Sequence, residues 1–370
     1  MSRVAITGIG VVAPGAIGIN AFREQLDSGK STFRIQDFVP KQFIAPMKLR
    51  RMNALSRFGV AAARLAIDDR GAELPEVSGV AMGTAFGPVQ TSVDYMQEYV
   101  EKGAALAPPQ LFAESVANAP GSHTGIEFGL RGFNVTLTQR ESSALAALMY
   151  AASQVNKGSV PAAIAGGVDE VSEMLFSVLD RIGALGRCSR PFDRHREGMV
   201  IGEGGAALIL EANANDAYAY VSGFGIARDR TATISDWGDG IDDAVRAMRA
   251  AIEDAEITIA DIDAIYASAN SSVRGDRLEF RAIQTLFENV PHVVATKGYF
   301  GEYAAGGALQ IIAAALAIRD QKLHASIGFS EGEDAMRFTP TRESAPANLR
   351  HILVNSLSAG GGIVCAVLSA

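Results

Sequence analysis

Two alanine-rich segments constrain the fold of this chain more than any other feature of its sequence. They are "SSALAALMYAASQVNKG" (142–158) and "EYAAGGALQIIAAALAIRD" (302–320), and each follows a strand-like run and a short turn. Helices with so little side-chain bulk can approach their neighbours closely and be buried on all sides. We therefore predict an internal duplication in which each half contributes one central helix. The alternative is two unrelated alanine-rich core helices.

The rest of the sequence alternates strand patterns with helix patterns. Strand signals fall at 3–12, 77–84, 133–138, 161–167 and 205–212, and helix signals at 52–69, 89–103, 142–158 and 171–185. After Glu211 the alternation starts again, and the chain ends in two strands. This pattern predicts a mainly parallel α/β sheet covered by helices. We expect an N-terminal half at 1–211 and a C-terminal half at 212–370.

Charge and composition exclude several classes of function. The net charge of −8 and the lack of a basic run argue against binding to nucleic acid or to an anionic membrane surface. No 18-residue apolar span and no signal peptide are found, and the two cysteines, Cys188 and Cys365, have neither disulfide-framework nor metal-site spacing. We expect a cytoplasmic protein without a metal or a cofactor. The GxG in the first strand lacks the third glycine of a dinucleotide site.

A set of motifs in a fixed order connects the chain to a known family. They are "VAITGIGVVAPGA" (4–16), "GSHTGIEFGLRG" (121–132), "AAIAGGVDE" (162–170), "SRPFDRHREGMVIGEGGAALILE" (189–211) and "TK" (296–297). A looser match is "NSLSAGGG" (355–362). Over nearly its whole length the chain resembles the β-ketoacyl synthases of the thiolase superfamily. The resemblance implies a five-layered α/β/α/β/α fold built from two duplicated halves, normally as a dimer.

The resemblance also locates the positions where the family carries its catalytic groups. Family members use a cysteine thiolate at the start of the first buried helix and two histidines for decarboxylation and oxyanion stabilisation. This chain has Glu141, Asn270 and Glu302 at those positions, while it keeps Lys297. The gate of the family near the end of the chain has become Leu-Ser-Ala at 357–359. With no thiol and no imidazole there, we assign no catalytic residue and expect no condensation by this chain alone.

Glu141 itself allows several interpretations. "TQRE" (138–141) has the pattern of a capping box, in which Thr138 and Glu141 would satisfy backbone N–H groups at the helix start. A carboxylate at a helix N-terminus is favourable by about 0.3–1 kcal/mol even without that box. Glu141 is also a candidate for a contact across a subunit interface. Finally, Glu141 and Glu302 are expected near one another, where two carboxylates can share a proton for acid–base chemistry.

Two further segments are candidates for the acyl tunnel and the dimer interface. In the family that the chain resembles, the region "APPQLFAESVANAPG" (107–121) lines the tunnel near the dimer contact, and the strand at 133–138 pairs with the same strand of the partner. The candidate residues are Ala107, Leu111, Phe112, Ser115, Asn134, Thr136 and Thr138. The alternative for Leu111 and Phe112 is an ordinary place in the core.

One role matches a synthase homologue that lacks its catalytic groups. The chain resembles a chain length factor, the inactive subunit that pairs with a catalytic ketosynthase and shapes its tunnel in type II polyketide biosynthesis. Such subunits usually carry glutamine at the position of Glu141, so this chain departs from the aromatic-polyketide group, and its length is closer to the partners of aryl polyene and other polyene systems. The expected partners are the ketosynthase and, mainly through it, an acyl carrier protein. A patch at Lys48, Arg50 and Arg51 is a candidate for an additional carrier contact.

Two alternatives come from other classes. The first is a malonyl-carrier-protein decarboxylase, or another acyl enzyme based on the carboxylates of Glu141 and Glu302. The known loading synthases of this kind keep their histidines, whereas this chain does not. The second is a free-standing homodimer with a scaffold role.

Overall fold

A computed structural model describes residues 3–233 and 236–370 of the chain. The strands are β1 (Val4–Ala13), β2 (Ala16–Ile17), β3 (Gly79–Gly83), β4 (Asn134–Leu137), β5 (Ala162–Asp169), β6 (Gly204–Ala212), β7 (Ala219–Arg228), β8 (Ala264–Tyr266), β9 (His292–Val294), β10 (Lys322–Leu323), β11 (Ala345–Pro346), β12 (His351–Leu357) and β13 (Gly362–Ser369). The helices are α1 (Ile19–Ser28), α2 (Pro46–Leu49), α3 (Ala54–Arg70), α4 (Val89–Lys102), α5 (Pro109–Glu114), α6 (Ala119–Glu127), α7 (Ser143–Asn156), α8 (Glu173–Arg181), α9 (Ile241–Asp254), α10 (Val273–Leu286), α11 (Lys297–Phe300) and α12 (Ala304–Asp320). Short 3₁₀ turns include Arg140–Ser142, between β4 and α7.

The two halves of the chain have the same strand order. The order β4-β3-β5-β6-β1 in the first half is repeated as β9-β8-β12-β13-β7 in the second. In each set the first three strands are parallel and the last three are antiparallel. The prediction of a mainly parallel sheet is therefore wrong, because the strands at the junction of the two sets pair antiparallel. The sets join where Val4–Ile6 of β1 pairs with residues 219–221 of β7. This repetition confirms the predicted internal duplication.

The two alanine-rich helices lie between the two sets of strands. Helix α7 packs on β3 and β5 of the first set and reaches β13 of the second, while α12 contacts β5, β6 and β12. Every residue of α12 from Ala304 to Ile318 is buried. Helices α3 and α6 cover the outer face of the first set, and α9, joined by α10, covers that of the second. The result is the five-layered α/β/α/β/α arrangement that the resemblance implied.

Two glycines allow the buried helices to start close to the strand ends. A Cβ on Gly83 at the end of β3 would lie 2.6 Å from the backbone of Ser143, in the first turn of α7. A Cβ on Gly167 in β5 would likewise lie 2.6 Å from the carbonyl oxygen of Ala304, in the first turn of α12. Real Cβ atoms do not approach backbone atoms so closely, so glycine is needed at both positions. Both helix N-termini are thereby drawn toward the same region.

The elements predicted from the sequence are confirmed, with ends that differ by a few residues. The predicted helix at 142–158 is α7, and the predicted strand at 133–138 is β4. In residues 3–233 and 236–370 no helix is both long enough and apolar enough to cross a bilayer.

Candidate functional site

A sharp turn presents Glu141 at the centre of the molecule. Strand β4 ends at Leu137, the 3₁₀ turn follows, and α7 begins at Ser143. Arg140 has a left-handed backbone with φ of 53°, which costs a residue with a side chain roughly 1–2 kcal/mol. The hydroxyl of Ser143 secures the turn because it accepts from the Gln139 N–H at 2.8 Å and lies 2.6 Å from the Arg140 carbonyl oxygen. Glu141 is consequently held in a buried position, with 2% of its surface exposed.

The capping-box interpretation of Thr138 and Glu141 is wrong. The N-cap of α7 is Ser142, which makes no side-chain capping bond, and Glu141 lies in the turn before the helix. The 3₁₀ turn displaces the helix start, and Ser143 takes over the hydrogen bonds that secure this corner. Among the described residues the Oε2 atom of Glu141 has no hydrogen-bond partner. The Nε of Arg140 lies 3.9 Å from that oxygen.

The other two altered positions meet in a buried ion pair. Glu302 directly precedes the first turn of α12, and its Oε2 accepts from the Asn270 side-chain amide at 2.9 Å. The same oxygen pairs with the ammonium of Lys297. Lys297 is fully buried, and Glu302 is 1% exposed. The Asn270 Oδ1 accepts from the Ser272 N–H at 2.9 Å, which fixes the orientation of the amide.

Burial changes the protonation of the Glu302 carboxyl group. It raises the pKa of Glu302 to about 7; Lys297 opposes that rise, and electrostatic repulsion from Glu141 adds to it. The two carboxylates are thus close enough to interact, as the resemblance implied. The Lys297 ammonium and the Asn270 amide are both committed to Glu302. The arrangement contains a charge-balanced carboxylate and no imidazole or thiol.

Buried carboxylates that the sequence analysis did not single out hold these side chains in place. Asp276 accepts from the N–H groups of Asn270 at 2.9 Å and Ser271 at 3.1 Å, so it fixes the loop that carries the amide. Asp169 accepts from the Ala304 N–H at 2.6 Å and therefore anchors the start of α12. The available signals were the acidic residues in "GDRLEF" and "GGVDE", the first at a helix start and the second after a strand.

Glu279 is the third of these carboxylates. Its Oε1 accepts from the Ser268 N–H at 2.8 Å and from the Asn355 amide at 3.1 Å. Burial raises its pKa to about 7, and Lys297 lies near enough to lower it slightly. Lys297 therefore interacts with two buried carboxylates, although its direct contact is with Glu302.

A cavity of about 390 Å³ opens beside Glu141. It is lined by Arg140, Glu141, Ile182, Gly183, Ala184, Glu197, Gly198, Met199, Asp236, Trp237, Asn270, Ser272, Val273, Arg274 and Ala359. The fold thus brings Glu141 and Asn270 together with Ala359 of the altered gate, whereas Glu302 is not among the lining residues. No residue of 107–118 or 133–138 is among these lining residues.

The tunnel and interface candidates lie elsewhere, on the surface. Phe112 on α5 is 58% exposed, with its ring 5.6 Å from that of Tyr95 on α4, so the alternative of a core position for Phe112 is wrong. Leu111, Ala107 and Ser115 are half-buried. The short helix α5 leaves Phe112 at the surface because it spans only Pro109–Glu114 and packs on α4 instead of on a sheet.

The strand candidates lie on β4, which forms one edge of the sheet. Among the described strands β4 pairs only with β3, so one of its sides is open. Asn134 and Thr138 are exposed and Thr136 is half-buried. The Asn134 amide donates to the Gly121 carbonyl oxygen at 2.8 Å, which ties the strand to α6.

Comparisons with known proteins identify the family. The model for the β-ketoacyl synthase N-terminal domain matches residues 34–215, and that for the C-terminal domain matches residues 218–330. The chain is 26% identical to 3-oxoacyl-[acyl-carrier-protein] synthase 2 of Vibrio harveyi, over 97% of this chain and 96% of that protein. It is 30% identical to the "Putative polyketide beta-ketoacyl synthase 1" of Streptomyces cyaneus, over 99% and 97% of the two chains.

Solved structures give the same result. The ishigamide ketosynthase/chain length factor superposes with a TM-score of 0.93 at 26% identity, over 100% of this chain and 99% of that one. A type II polyketide synthase acyl-carrier protein in complex with its ketosynthase contains a chain of the same fold, with a TM-score of 0.90 at 20% identity. The fold is therefore that of type II polyketide ketosynthases and chain length factors, and the chain belongs to the β-ketoacyl synthase family.

Proposed function

We propose that this chain is a non-catalytic subunit of the chain length factor type, which pairs with a catalytic ketosynthase in type II polyketide biosynthesis. The observation that carries the proposal is the buried ion pair of Glu302 with Lys297, completed by Asn270. A ketosynthase needs a thiolate and two imidazoles at positions 141, 270 and 302. Here the available hydrogen bonds stabilise a fixed, charge-balanced core, and Glu141 stands where the family has its thiol.

The surface of the chain supports a protein partner. Exposed apolar side chains cluster on α4, α5 and α8 and on the segments beside them: Met96, Tyr99, Val100, Leu106, Phe112, Val116, Met174, Phe176 and Val178. Helix α4 packs on both α5 and α8, so most of these side chains share one face. Clustered exposed apolar side chains often mark a protein–protein contact. We name this apolar surface the α4–α8 face and propose that the ketosynthase covers it.

The open edge of β4 fits the same partner. An unpaired strand edge offers its N–H and C=O groups to a neighbouring strand. The segment 109–118 leads directly into α6, and α6 is bound to β4 through Asn134. We propose that β4 extends its sheet into that of the partner, with Thr136 and Thr138 in the contact. Ala107, Leu111, Phe112 and Ser115 then lie at the end of the partner's acyl tunnel.

We propose that the acyl carrier protein binds mainly to the partner. Carrier proteins of this kind are acidic, and this chain has a net charge of −8, so its overall field repels them. The patch at Lys48, Arg50 and Arg51 is a local exception, although Lys48 is already paired with Glu127 at 2.7 Å. The solved ketosynthase complex with an acyl-carrier protein supports a carrier contact in such assemblies.

Reconstitution tests the proposal. The purified chain, incubated with acyl- and malonyl-carrier protein, is expected to give neither elongation nor decarboxylation. Co-expression with a cysteine-bearing type II ketosynthase from the same organism should give a stable heterodimer that elongates. Elongation or malonyl decarboxylation by the single chain, or a homodimer indifferent to the ketosynthase, would overturn the proposal.

A variant sharpens this test. Glu141→Cys should remain inactive as a single chain, because Asn270 and Glu302 still occupy the histidine positions. The matched control is Glu197→Cys, which places a thiol at an exposed position of the same cavity. Activity gained by Glu141→Cys alone would show that the ion pair does not prevent catalysis.

A further inference from the structure

The cavity beside Glu141 has a property that pairing with a ketosynthase does not require. Glu141 is one of its lining residues, and the buried Oε2 atom of Glu141 has no hydrogen bond among the described residues. Leaving a buried acceptor unsatisfied is costly, so such groups normally have a partner. Arg140 does not supply that bond, since its Nε is 3.9 Å away and its guanidinium lies over the ring of Phe86 at 5.6 Å.

The charged side chains around the cavity determine which ligand charge it favours. Arg274 and Asp236 on the lining form an ion pair with each other. The remaining charged side chains on the described lining are Glu141, Glu197 and Arg140, which leaves one negative charge in excess. An anionic malonyl group is disfavoured here, and a cation is favoured.

The shape of the cavity is suited to a small organic molecule. Its volume of about 390 Å³ is within the usual range of roughly 300–1,000 Å³ for small-ligand sites. Apolar side chains of Ile182, Met199, Trp237 and Val273 form part of its wall. The mouth is accessible, since Ile182 is 50% exposed and Arg274 is exposed. An aliphatic stem can lie against this wall while its polar head reaches the carboxylate.

We propose that this cavity binds a small organic cation, a primary amine with an aliphatic stem, whose ammonium group donates to the Oε2 of Glu141. Trp237 offers an aromatic face for the same charge. Such a ligand supplies the hydrogen bond that Glu141 lacks and balances the excess negative charge. The site is a binding site only, because no group in it forms or breaks a bond.

Binding of n-butylamine hydrochloride to the full chain tests the proposal. Isothermal titration calorimetry should show saturable binding to the cavity, and the fluorescence of Trp237, the single tryptophan, should respond. In Glu141→Gln the dissociation constant should rise at least about tenfold, which corresponds to roughly 1.4 kcal/mol. The control Glu253→Gln, on the exposed surface of α9, should bind as the unaltered chain does.

Neutral and anionic probes on the unaltered chain keep the test independent of how the variant folds. n-Butanol and sodium pentanoate carry the same butyl stem as n-butylamine and should show no saturable binding. Equal binding of n-butanol and butylamine, equal affinity in Glu141→Gln, or no saturable binding of butylamine would each overturn the proposal. The assay contains no ketosynthase, so its failure leaves the proposed pairing untouched.

Discussion

Removing Lys297 should destabilise the chain in a way that depends on pH. Lys297 is fully buried and forms the ion pair with Glu302, to which Asn270 also donates at 2.9 Å. In Lys297→Met the carboxylate loses its counter-charge but keeps the amide. Removing one partner of a buried ion pair typically costs about 3–5 kcal/mol. We expect a loss of this size in the free energy of unfolding at pH 8.5.

At pH 6 the loss should be smaller. The pKa of Glu302 is already raised to about 7 with Lys297 present, and without Lys297 it rises further. The folded variant therefore holds a proton on Glu302 at pH 6, whereas the unfolded chain, with an ordinary carboxyl pKa, does not. A carboxyl group whose folded pKa is raised contributes its full stability below the unfolded pKa and loses that stability progressively as the pH rises to the folded pKa. Keeping the proton on the folded carboxyl group costs about 1.4 kcal/mol of stability for each pH unit above the unfolded pKa.

A double-mutant cycle separates the ion pair from other effects of the substitution. Glu302→Gln keeps an acceptor for the Asn270 amide, and in combination with Lys297→Met it removes both charges. The double variant should be more stable at pH 8.5 than Lys297→Met alone, with a coupling of about 2–3 kcal/mol. It should not recover fully, because Lys297 also stabilises the charge of Glu279.

Urea unfolding followed by the fluorescence of Trp237 and by circular dichroism, at pH 6 and pH 8.5, provides the measurement. Coincident transitions by the two probes are required before free energies are compared. Equal destabilisation of Lys297→Met at both pH values, or additive effects in the double variant, would refute the reasoning, since neither is compatible with a carboxylate that takes up a proton when its partner is lost.

Three further predictions address stability, assembly and product length. Glu279→Gln should flatten the fall in stability between pH 4.5 and 7, because burial raises the pKa of Glu279 to about 7 and the unfolded carboxyl group titrates lower. Denaturation midpoints measured across that range would contradict this if stability fell with pH as steeply as in the unaltered chain. Val100→Asp, at a position 76% exposed on the α4–α8 face, should abolish co-purification with the ketosynthase while the melting temperature stays unchanged; undiminished co-purification would place the interface elsewhere. In the reconstituted pair Phe112→Ala should lengthen the product and Ala107→Trp should shorten it, because bulk at a tunnel end sets a steric limit; mass spectrometry that shows identical lengths would mean that other residues close the tunnel.

The elements and the family of this chain were accessible from its sequence because both depend on local signals. Alanine-rich helix 302–320, with no polar face, already required burial on all sides, and α12 is indeed buried from Ala304 to Ile318. The positions of Glu141, Asn270 and Glu302 followed from motifs that flank them closely in the sequence.

The state of those side chains was decided by tertiary structure alone. Local pattern suggested a capping box at Glu141, but the left-handed Arg140 and the hydroxyl of Ser143 produce a separate turn that leaves one carboxylate oxygen without a hydrogen bond. The exposure of Phe112 likewise depends on α5 packing against α4 instead of a sheet.

The ion pair of Lys297 with Glu302 separates most clearly what the sequence determined from what tertiary structure decided. The sequence by itself determined that a carboxylate, an amide and a lysine replace or accompany the catalytic groups of the family. It did not determine that Asn270 donates to Glu302 across 32 positions of chain, or that Lys297 neutralises the same oxygen. Hydrogen bonds between distant loops depend on where the buried strands and helices end. Those ends are fixed by packing between layers, which no local window of sequence contains.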